Sequence, residues 1–116
     1  ANMRIVGNCE YAILLYRDKL PKFRNEGKMV FNCCDWQIEK EIEVLHPTQK
    51  PVIVLRRLIE IFTDPGDVVI DPVAGSGSTL YAANQLGRNA YGFEIKKNFF
   101  KEANEKILSK IQGRLF

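Results

Sequence analysis

The sequence has no long hydrophobic run, so no stretch of it could span a membrane as a helix. Its longest uninterrupted apolar segment, Tyr11–Tyr16, has six residues, whereas a membrane-spanning helix needs about 20. No basic stretch followed by an apolar core and a small-residue cleavage site opens the chain, so nothing in it indicates secretion. We therefore expect a soluble protein of the cytoplasm.

Cysteine and histidine are too scarce for a disulfide framework or a zinc site. The three cysteines are odd in number, and Cys33 and Cys34 are adjacent, a spacing that closes no useful loop. A structural zinc ion needs about four ligands at set spacings, and His46 is the only histidine in the sequence. We expect reduced, partly buried thiols and no metal site.

What the sequence does contain is an ordinary globular composition. Its 116 residues are 46% hydrophobic and 27% charged, which is typical of one folded domain. Seventeen Lys and Arg against fourteen Asp and Glu give a net charge of +3, which permits an anionic partner without requiring one. We expect a single domain over residues 1–116, with a strand and loop region at 1–45 and a more regular region at 46–116.

The region 1–45 predicts two short strands joined by a basic loop. Glu10–Tyr16 is apolar and rich in aromatic residues, which is typical of a buried strand, and Met29–Cys34 is compatible with a second strand. Between them, the loop Arg17–Lys28 carries five cations and two carboxylates. Asp35–Val44 alternates in charge and predicts no particular element.

The region 46–116 predicts alternating helices and strands. Pro51 is suited to the first turn of a helix, and apolar residues then recur at three- and four-residue spacing as far as Phe62. Strand, helix and strand follow in order, which predicts a right-handed parallel βαβ unit and an α/β fold class. The expected elements are a strand at Val68–Ile70 covered on both faces, a helix at Ser78–Leu86 ended by Gly87, a strand at Ala90–Ile95, and a last helix capped by Asn98.

The first of these strands runs into a glycine-rich turn that is suited to binding a ligand. Gly75 and Gly77 allow the backbone to approach a ligand closely, and the start of the following helix offers N–H groups that lack helical partners. A dinucleotide site would have Gly or Ala where Leu80 stands, and a Walker phosphate loop would have Lys after Gly77. Both kinds of pyrophosphate site are therefore disfavoured.

Two carboxylates near this turn favour a ligand that carries positive charge. Asp71 precedes the glycines, and Glu94 lies 19 residues after Gly75, which is about the spacing at which an acidic residue reaches ribose hydroxyls. S-adenosylmethionine presents both cationic groups and a ribose. The alternative is that the glycines make only a tight turn and that both carboxylates are solvated strand ends.

Two motifs in this region are similar to those of a known family. His-Pro-Thr-Gln-Lys-Pro at 46–51, an apolar helix, and Asp-Pro-Val-Ala-Gly-Ser-Gly-Ser-Thr at 71–79 resemble the amino-methylating DNA methyltransferases. These enzymes transfer a methyl group from S-adenosylmethionine to N6 of adenine or N4 of cytosine. The resemblance is to the restriction-modification and phage subgroup in which the catalytic segment precedes the cofactor segment. It implies a Rossmann-like methyltransferase fold, S-adenosylmethionine as cofactor, DNA as partner, and a bacterial or phage-infected cell.

The resemblance implies that the cofactor site is formed by the two motifs and by the acid after the second strand. By this resemblance, Glu94 would bind the ribose, Lys50 would meet the methionine carboxylate, and His46 would position its neighbours rather than catalyse. The cofactor-binding residues that it implies are His46, Thr48, Gln49, Lys50, Pro51, Asp71, Pro72, Val73, Gly75, Ser76, Gly77, Ser78, Thr79 and Glu94.

Two departures from the family pattern bear on activity. Val73 stands where the family usually has Phe, which makes one wall of the cofactor pocket smaller. The family's catalytic tetrapeptide, Asp or Asn followed by Pro-Pro and an aromatic residue, is absent from this sequence, so no catalytic residue is assigned. We expect the chain to be the C-terminal portion of a longer enzyme and to be inactive by itself.

Other interpretations of the chain stay open at this stage. The basic loop Arg17–Lys28 either contacts DNA phosphates in the full enzyme or is a solvated hairpin. The chain as a whole could be a non-catalytic module that binds S-adenosylmethionine, or a fragment of a dinucleotide-binding oxidoreductase.

The resemblance also makes a prediction about assembly. In the family the sheet continues beyond Val68–Asp71 on the side away from the second strand, and the strands that lie there belong to the segment missing here. An apolar strand edge with unpaired N–H and C=O groups invites another chain. We expect either the segment Glu10–Tyr16 to pair with this edge or a second copy to cover it as a homodimer.

Overall fold

The computed structural model describes residues 9–35 and 38–111, and all the regular elements of that part lie after residue 51. In chain order they are helix α1 (Val52–Phe62), strand β1 (Val68–Asp71), helix α2 (Ser78–Gln85), strand β2 (Asn89–Gly92) and helix α3 (Lys97–Glu102). A π-helical turn (Ala103–Ile107) and a 3-10 turn (Leu108–Lys110) continue α3. The α/β fold class predicted from the sequence is confirmed. No helix of the described part is long and apolar enough to cross a membrane.

The two strands form a parallel pair, so their carboxyl ends meet at one edge of the sheet. Val68 is opposite Asn89 and Asp71 is opposite Gly92. Beyond the strands, the N–H of Phe93 donates to the carbonyl of Asp71 (3.0 Å), and the N–H of Ala74 donates to the carbonyl of Phe93 (2.9 Å). These bonds tie the turn after β1 directly to the chain after β2.

The core lies between α1, α2 and the helical turns that follow α3. Val52, Ala82 and Ile107 are fully buried in one cluster of apolar side chains. Pro51 provides no side-chain cap for α1, and the carboxylate of Glu39 instead accepts a hydrogen bond from the N–H of Val52. The start of α1, next to the 46–51 motif, is therefore fixed by both packing and a carboxylate cap.

Two tight contacts set how closely the elements approach one another. A Cβ at Gly92 would lie 2.8 Å from Cδ1 of Leu80 and 2.9 Å from Cβ of Ala74, so β2 touches both α2 and the turn after β1. Arg88 is only 8% exposed, and its guanidinium donates to the carbonyls of Thr63 and Leu86. Arg88 thereby joins the end of α1 to the turn after α2.

The N-terminal region differs from the sequence expectations. Glu10–Tyr16 and Met29–Cys34 form neither helix nor strand, and side chains such as Tyr11 (92% exposed) and Met29 (92% exposed) are in solvent. The prediction of two strands, the first of them buried, is therefore wrong. The sheet of the described part has two strands only, so Glu10–Tyr16 does not pair with β1, and a strand without a pairing partner has no backbone hydrogen bonds to hold it.

Other local predictions also need correction. Val68 and Ile70 are 55% and 62% exposed, so β1 is covered on one face and not on both. β2 ends at Gly92, before Ile95, and α3 begins at Lys97 after the N-cap Lys96, so Asn98 is not the cap. The three cysteines are exposed, so the expectation of partly buried thiols is wrong as well.

The basic loop Arg17–Lys28 is attached to the carboxyl end of α1. The N–H of Arg24 donates to the carbonyl of Ile61 (2.7 Å), and the rings of Phe23 and Phe62 meet edge to face at 5.7 Å. Lys22 and Arg24 both form ion pairs with Asp64, at 2.5 and 2.8 Å. Part of the positive charge of the loop is therefore neutralised within the chain.

Candidate functional site

The glycine turn, residues 72–77, lies at the carboxyl edge of the sheet between β1 and α2. Gly75 and Gly77 have φ angles of +52° and +82°, which non-glycine residues rarely adopt. A Cβ at Gly75 would also lie 3.2 Å from Nε2 of His46, and one at Gly77 would lie 3.3 Å from Cδ2 of Leu108. The turn therefore needs glycine at both positions, for its backbone conformation and for the close packing around it.

Asp71 and Glu94 both hold backbone N–H groups at this edge. The carboxylate of Asp71 accepts a hydrogen bond from the N–H of Val73 at 3.0 Å. The carboxylate of Glu94 accepts one from the N–H of Gly75 at 2.9 Å and one from the N–H of Lys96 at 2.8 Å. Glu94 thus bridges the glycine turn and the chain after β2.

The same contacts keep Glu94 ionised. The backbone N–H of Lys96 is the largest cause that holds the pKa of Glu94 below its ordinary value of 4.5, and the N–H of Gly75 and the charge of Lys96 add to it. Each carboxylate oxygen has two lone pairs and can accept a second hydrogen bond. Glu94 therefore presents a charged acceptor at neutral pH.

His46 packs directly against the glycine turn. Its ring is stacked on Phe99, with centroids 5.1 Å apart and planes 26° apart, and its Nδ1 lies 3.3 Å from Oγ1 of Thr48. Its Nε2 is buried and has no hydrogen-bond partner within the described residues. The ammonium group of Lys96 lies 5.0 Å from the centre of the Phe99 ring, within the range of a cation–π interaction.

Gln49 and Lys50 have partners inside the chain. The side-chain amide of Gln49 accepts from the N–H of Leu45 (3.0 Å) and donates to the carbonyl of Glu43 (3.1 Å). Gln49 therefore holds the 43–49 loop in shape. The ammonium group of Lys50 donates to the carboxylate of Glu10 at 2.8 Å.

These residues surround a cleft of about 390 Å³, a size within the range of small-molecule sites. Of the residues predicted from the sequence, Pro51, Pro72 and Gly77 do not line it. The predicted residues that do line it are His46, Thr48, Gln49, Lys50, Asp71, Val73, Gly75, Ser76, Ser78, Thr79 and Glu94.

Four further residues line the cleft and were not predicted. Ala74 lies within the glycine turn, and Ile95, Lys96 and Phe99 follow Glu94 at the carboxyl end of β2. Residues just after the strands of a parallel sheet commonly line ligand sites, and this rule would have found Ile95 and Lys96. No sequence pattern would have indicated that Phe99 lines the cleft, because its stacking on His46 depends on the tertiary fold.

The chemistry of the cleft suits a ligand with charges of both signs. Asp71 and Glu94 supply negative charge, and Lys50 and Lys96 supply positive charge on its walls. No group of three or more His, Cys, Asp or Glu side chains that could hold a metal ion occurs in residues 9–35 and 38–111. A second cleft of about 550 Å³ lies between the basic loop and α1, away from the glycine turn, and is lined by residues such as Asn25 and Arg57.

The known proteins that this chain resembles in sequence are DNA methylases. A family model described as DNA methylase matches residues 9–105. The type II methyltransferase M2.DpnII of Streptococcus pneumoniae is 36% identical over 95 residues, covering 79% of this chain and 35% of that protein. The DNA adenine methyltransferase YhdJ of Escherichia coli strain K12 is 38% identical over 94 residues, covering 78% of this chain and 32% of that protein.

A solved structure is similar in fold. The crystal structure of the M1.HpyAVI–SAM complex matches with a TM-score of 0.63 and 32% identity, over 72% of this chain and 41% of that one. The chain spans about a third of the length of the curated relatives described above.

Proposed function

This chain belongs to the DNA methylase family, and we propose that it binds S-adenosylmethionine in the cleft between the glycine turn and Glu94. The solved relative is a complex with SAM, which supports this cofactor. The hydrogen bond between the N–H of Gly75 and Glu94 carries the proposal, because it brings the glycine turn and the second-strand acid into one site. In this proposal, residues 46–116 form the cofactor-binding region of a single methyltransferase domain.

Each side of the cleft has a role that its chemistry supports. Glu94 accepts hydrogen bonds from the ribose hydroxyls, since its oxygens keep lone pairs beyond those used by Gly75 and Lys96. Asp71 lies where a cationic sulfonium or ammonium group gains from a nearby carboxylate. Lys50 attracts the carboxylate of the methionine moiety, and the start of α1 adds to this attraction. His46 packs against Gly75 and is stacked on Phe99, so the two rings position the turn.

The reaction of the whole enzyme is proposed as methyl transfer to N6 of adenine in DNA, which the name of the Escherichia coli relative supports; transfer to N4 of cytosine is the alternative. Glu94, Asp71 and Lys50 would hold S-adenosylmethionine, which would supply an electrophilic methyl group on its sulfonium. Transfer to the amino nitrogen of the base would form the N–C bond, break the S–C bond, leave S-adenosylhomocysteine and release one amino proton. Enzymes of this kind must take the base out of the helix. The residues of this chain bind and orient the cofactor, whereas the residues that hold the base lie outside it.

The proposed place of the reaction is the cytoplasm of a bacterial or phage-infected cell. The basic loop Arg17–Lys28 would help to attract the DNA. Lys19 and Lys28 of this loop form no ion pair within the described residues, unlike Lys22 and Arg24. Their contribution to binding is electrostatic and falls as salt rises.

Calorimetric titration with S-adenosylhomocysteine, the demethylated cofactor, tests the binding site. We expect Glu94→Ala to weaken binding at least about tenfold, because hydrogen bonds to a charged group are lost. Gly75→Val should weaken it as well, because its side chain would meet His46 and its φ is +52°. Glu105→Ala and Gly27→Val are matched controls outside the cleft. Unchanged affinity in both test variants would remove the assignment.

We propose that the chain alone does not methylate DNA, because the tetrapeptide that holds the target amino group in the family is missing from its sequence. Incubation with duplex DNA and radiolabelled S-adenosylmethionine should give background counts. Steady incorporation above a control without protein would refute this.

A second candidate function is a non-catalytic module that binds the cofactor and pairs with a separate chain. The observation that favours it is the exposed apolar face of the sheet, where Val68, Ile70, Tyr91 and Phe93 are each at least 55% exposed. Parallel sheets are normally covered on both faces. A second copy of this chain, as a homodimer, is the alternative occupant of this face. Light scattering after size-exclusion chromatography of the purified chain gives twice the chain mass only for the homodimer. A monomer at micromolar concentration would contradict the dimer.

A further inference from the structure

The ammonium group of Lys50 is already paired with a carboxylate from outside the cleft. Its Nζ lies 2.8 Å from Glu10, and both side chains are half exposed. Lys50 lines the cleft and Glu10 does not. Glu10 belongs to a stretch that forms neither helix nor strand and is exposed throughout residues 9–20. A carboxylate on an exposed segment without regular structure therefore neutralises the cation that faces the cleft.

The chemistry of this pair matches that of the proposed cofactor. The methionine moiety of S-adenosylmethionine ends in a carboxylate, the same group that Glu10 presents to Lys50. Two carboxylates at one ammonium group repel each other, so a ligand that brings its own carboxylate must displace Glu10 or bind beside it at a cost. A ligand that lacks a carboxylate meets no such competition.

We propose that Glu10 is an internal competitor for Lys50, which lowers the affinity of the cleft for carboxylate-bearing nucleosides and is released when one binds. This inference rests on the proposed function, since it takes Lys50 as the partner of the ligand carboxylate. It adds a residue to the site that the family motifs do not include, and it links occupancy of the cleft to the position of the segment around Glu10.

The expected size of the effect follows from the exposure of the pair. Exposed ion pairs change equilibria by about 1.4- to 5-fold. Removing the charge of Glu10 should therefore strengthen binding of a carboxylate-bearing ligand by up to about fivefold. It should leave a carboxylate-free ligand unaffected.

The test is a calorimetric comparison of two probes on the full 116-residue chain. S-adenosylhomocysteine has the amino-acid carboxylate and ammonium group, and 5′-methylthioadenosine has the same nucleoside without either group. We expect Glu10→Gln to bind S-adenosylhomocysteine about two- to fivefold more tightly than the wild type, with methylthioadenosine unchanged. Glu60→Gln, which removes a carboxylate paired with Arg57 on the surface of α1, is the matched control for net charge.

Lys50→Gln completes a double-mutant cycle. It should weaken S-adenosylhomocysteine only, and Glu10→Gln should have no further effect in its background, because the two residues act through one contact. Thermal unfolding followed by circular dichroism verifies that each variant folds.

The outcomes separate the inference from the function on which it rests. If both probes bind, and Glu10→Gln and Glu60→Gln change the affinity for S-adenosylhomocysteine equally, the inference is wrong and the proposed cofactor site is supported. An equal gain for both probes would overturn the inference as well. Failure of both probes to bind the wild type and every variant would overturn the proposed function and the inference together.

Discussion

Residues 9–35 and residues 52–111 contain similar apolar side chains, yet only the second region forms regular structure. Phe31 is 90% exposed, whereas Ile107 is fully buried. The βαβ unit supplies its own strand partner, because β2 returns to pair with β1. The N-terminal segment has no such strand partner in the described part of the chain, and it contacts the rest of the molecule through loop and side-chain contacts with α1, Asp64 and Lys50. The difference indicates that strand partners, and not apolar content, decide which of the two regions forms regular secondary structure.

The largest expected difference between the regions is in core packing. Ile107→Ala removes a fully buried side chain and should lower the free energy of unfolding by about 2–5 kcal/mol. Ile13→Ala, at a position that is 84% exposed, should change it by less than about 0.5 kcal/mol. Urea denaturation measures both. Similar losses in the two variants would mean that the N-terminal segment is packed in solution.

Gly77 and Gly27, two of the glycines with positive φ, offer a second comparison. Gly77→Ala should cost about 1–2 kcal/mol for its backbone conformation, and more because its Cβ would press on Leu108 at 3.3 Å. Gly27 has a φ of +73° but nothing within 4 Å of a Cβ, so Gly27→Ala reports the backbone cost alone. Urea denaturation of both variants gives the difference. An equal loss would show that the contact with Leu108 adds nothing.

The smallest expected effect concerns the junction of the regions and depends on pH. The hydrogen bond from Lys22 is the largest cause that holds the pKa of Asp64 below its ordinary value of 3.8, and Arg24 adds to it. A carboxyl group with a lowered folded-state pKa adds stability above its unfolded pKa, and this is lost as the pH falls through the folded value.

At neutral pH, Asp64→Asn should therefore have a lower free energy of unfolding than the wild type. Below about pH 4, the wild type should lose this advantage, and the difference between the two proteins should shrink. Urea titrations at a series of pH values measure this, with Glu60→Gln as the surface control. If the wild type and Asp64→Asn follow parallel curves through the acid range, the ion pairs do not hold the loop to α1.

The sequence predicted the elements whose contacts are local or lie within one βαβ unit. The apolar spacing after Pro51 predicted α1, and the glycine pattern predicted the turn and the start of α2. The sequence also indicated that Glu94 follows the second strand, and parallel pairing in the structure brings it beside Gly75. These predictions succeeded because helix periodicity and turn chemistry are written in neighbouring residues.

The sequence could not predict contacts that depend on distant segments. Glu10 meets Lys50 across 40 positions and Lys22 meets Asp64 across 42, and no spacing rule connects them. The strand predicted at Glu10–Tyr16 was wrong for a related reason. An apolar run has strand character only when another strand lies beside it, and composition does not reveal whether one does.

Gly92 does not line the cleft, but the close packing that it allows affects the width of the cleft. The lack of a side chain there lets Leu80 and Ala74 close onto β2, and it keeps the bond from Ala74 to Phe93 at 2.9 Å. A methyl group at this position would clash with Leu80 and Ala74. The glycine turn would then shift, and the N–H of Gly75 would move away from the carboxylate of Glu94. The width of the cleft therefore depends on how closely the sheet and α2 pack at Gly92.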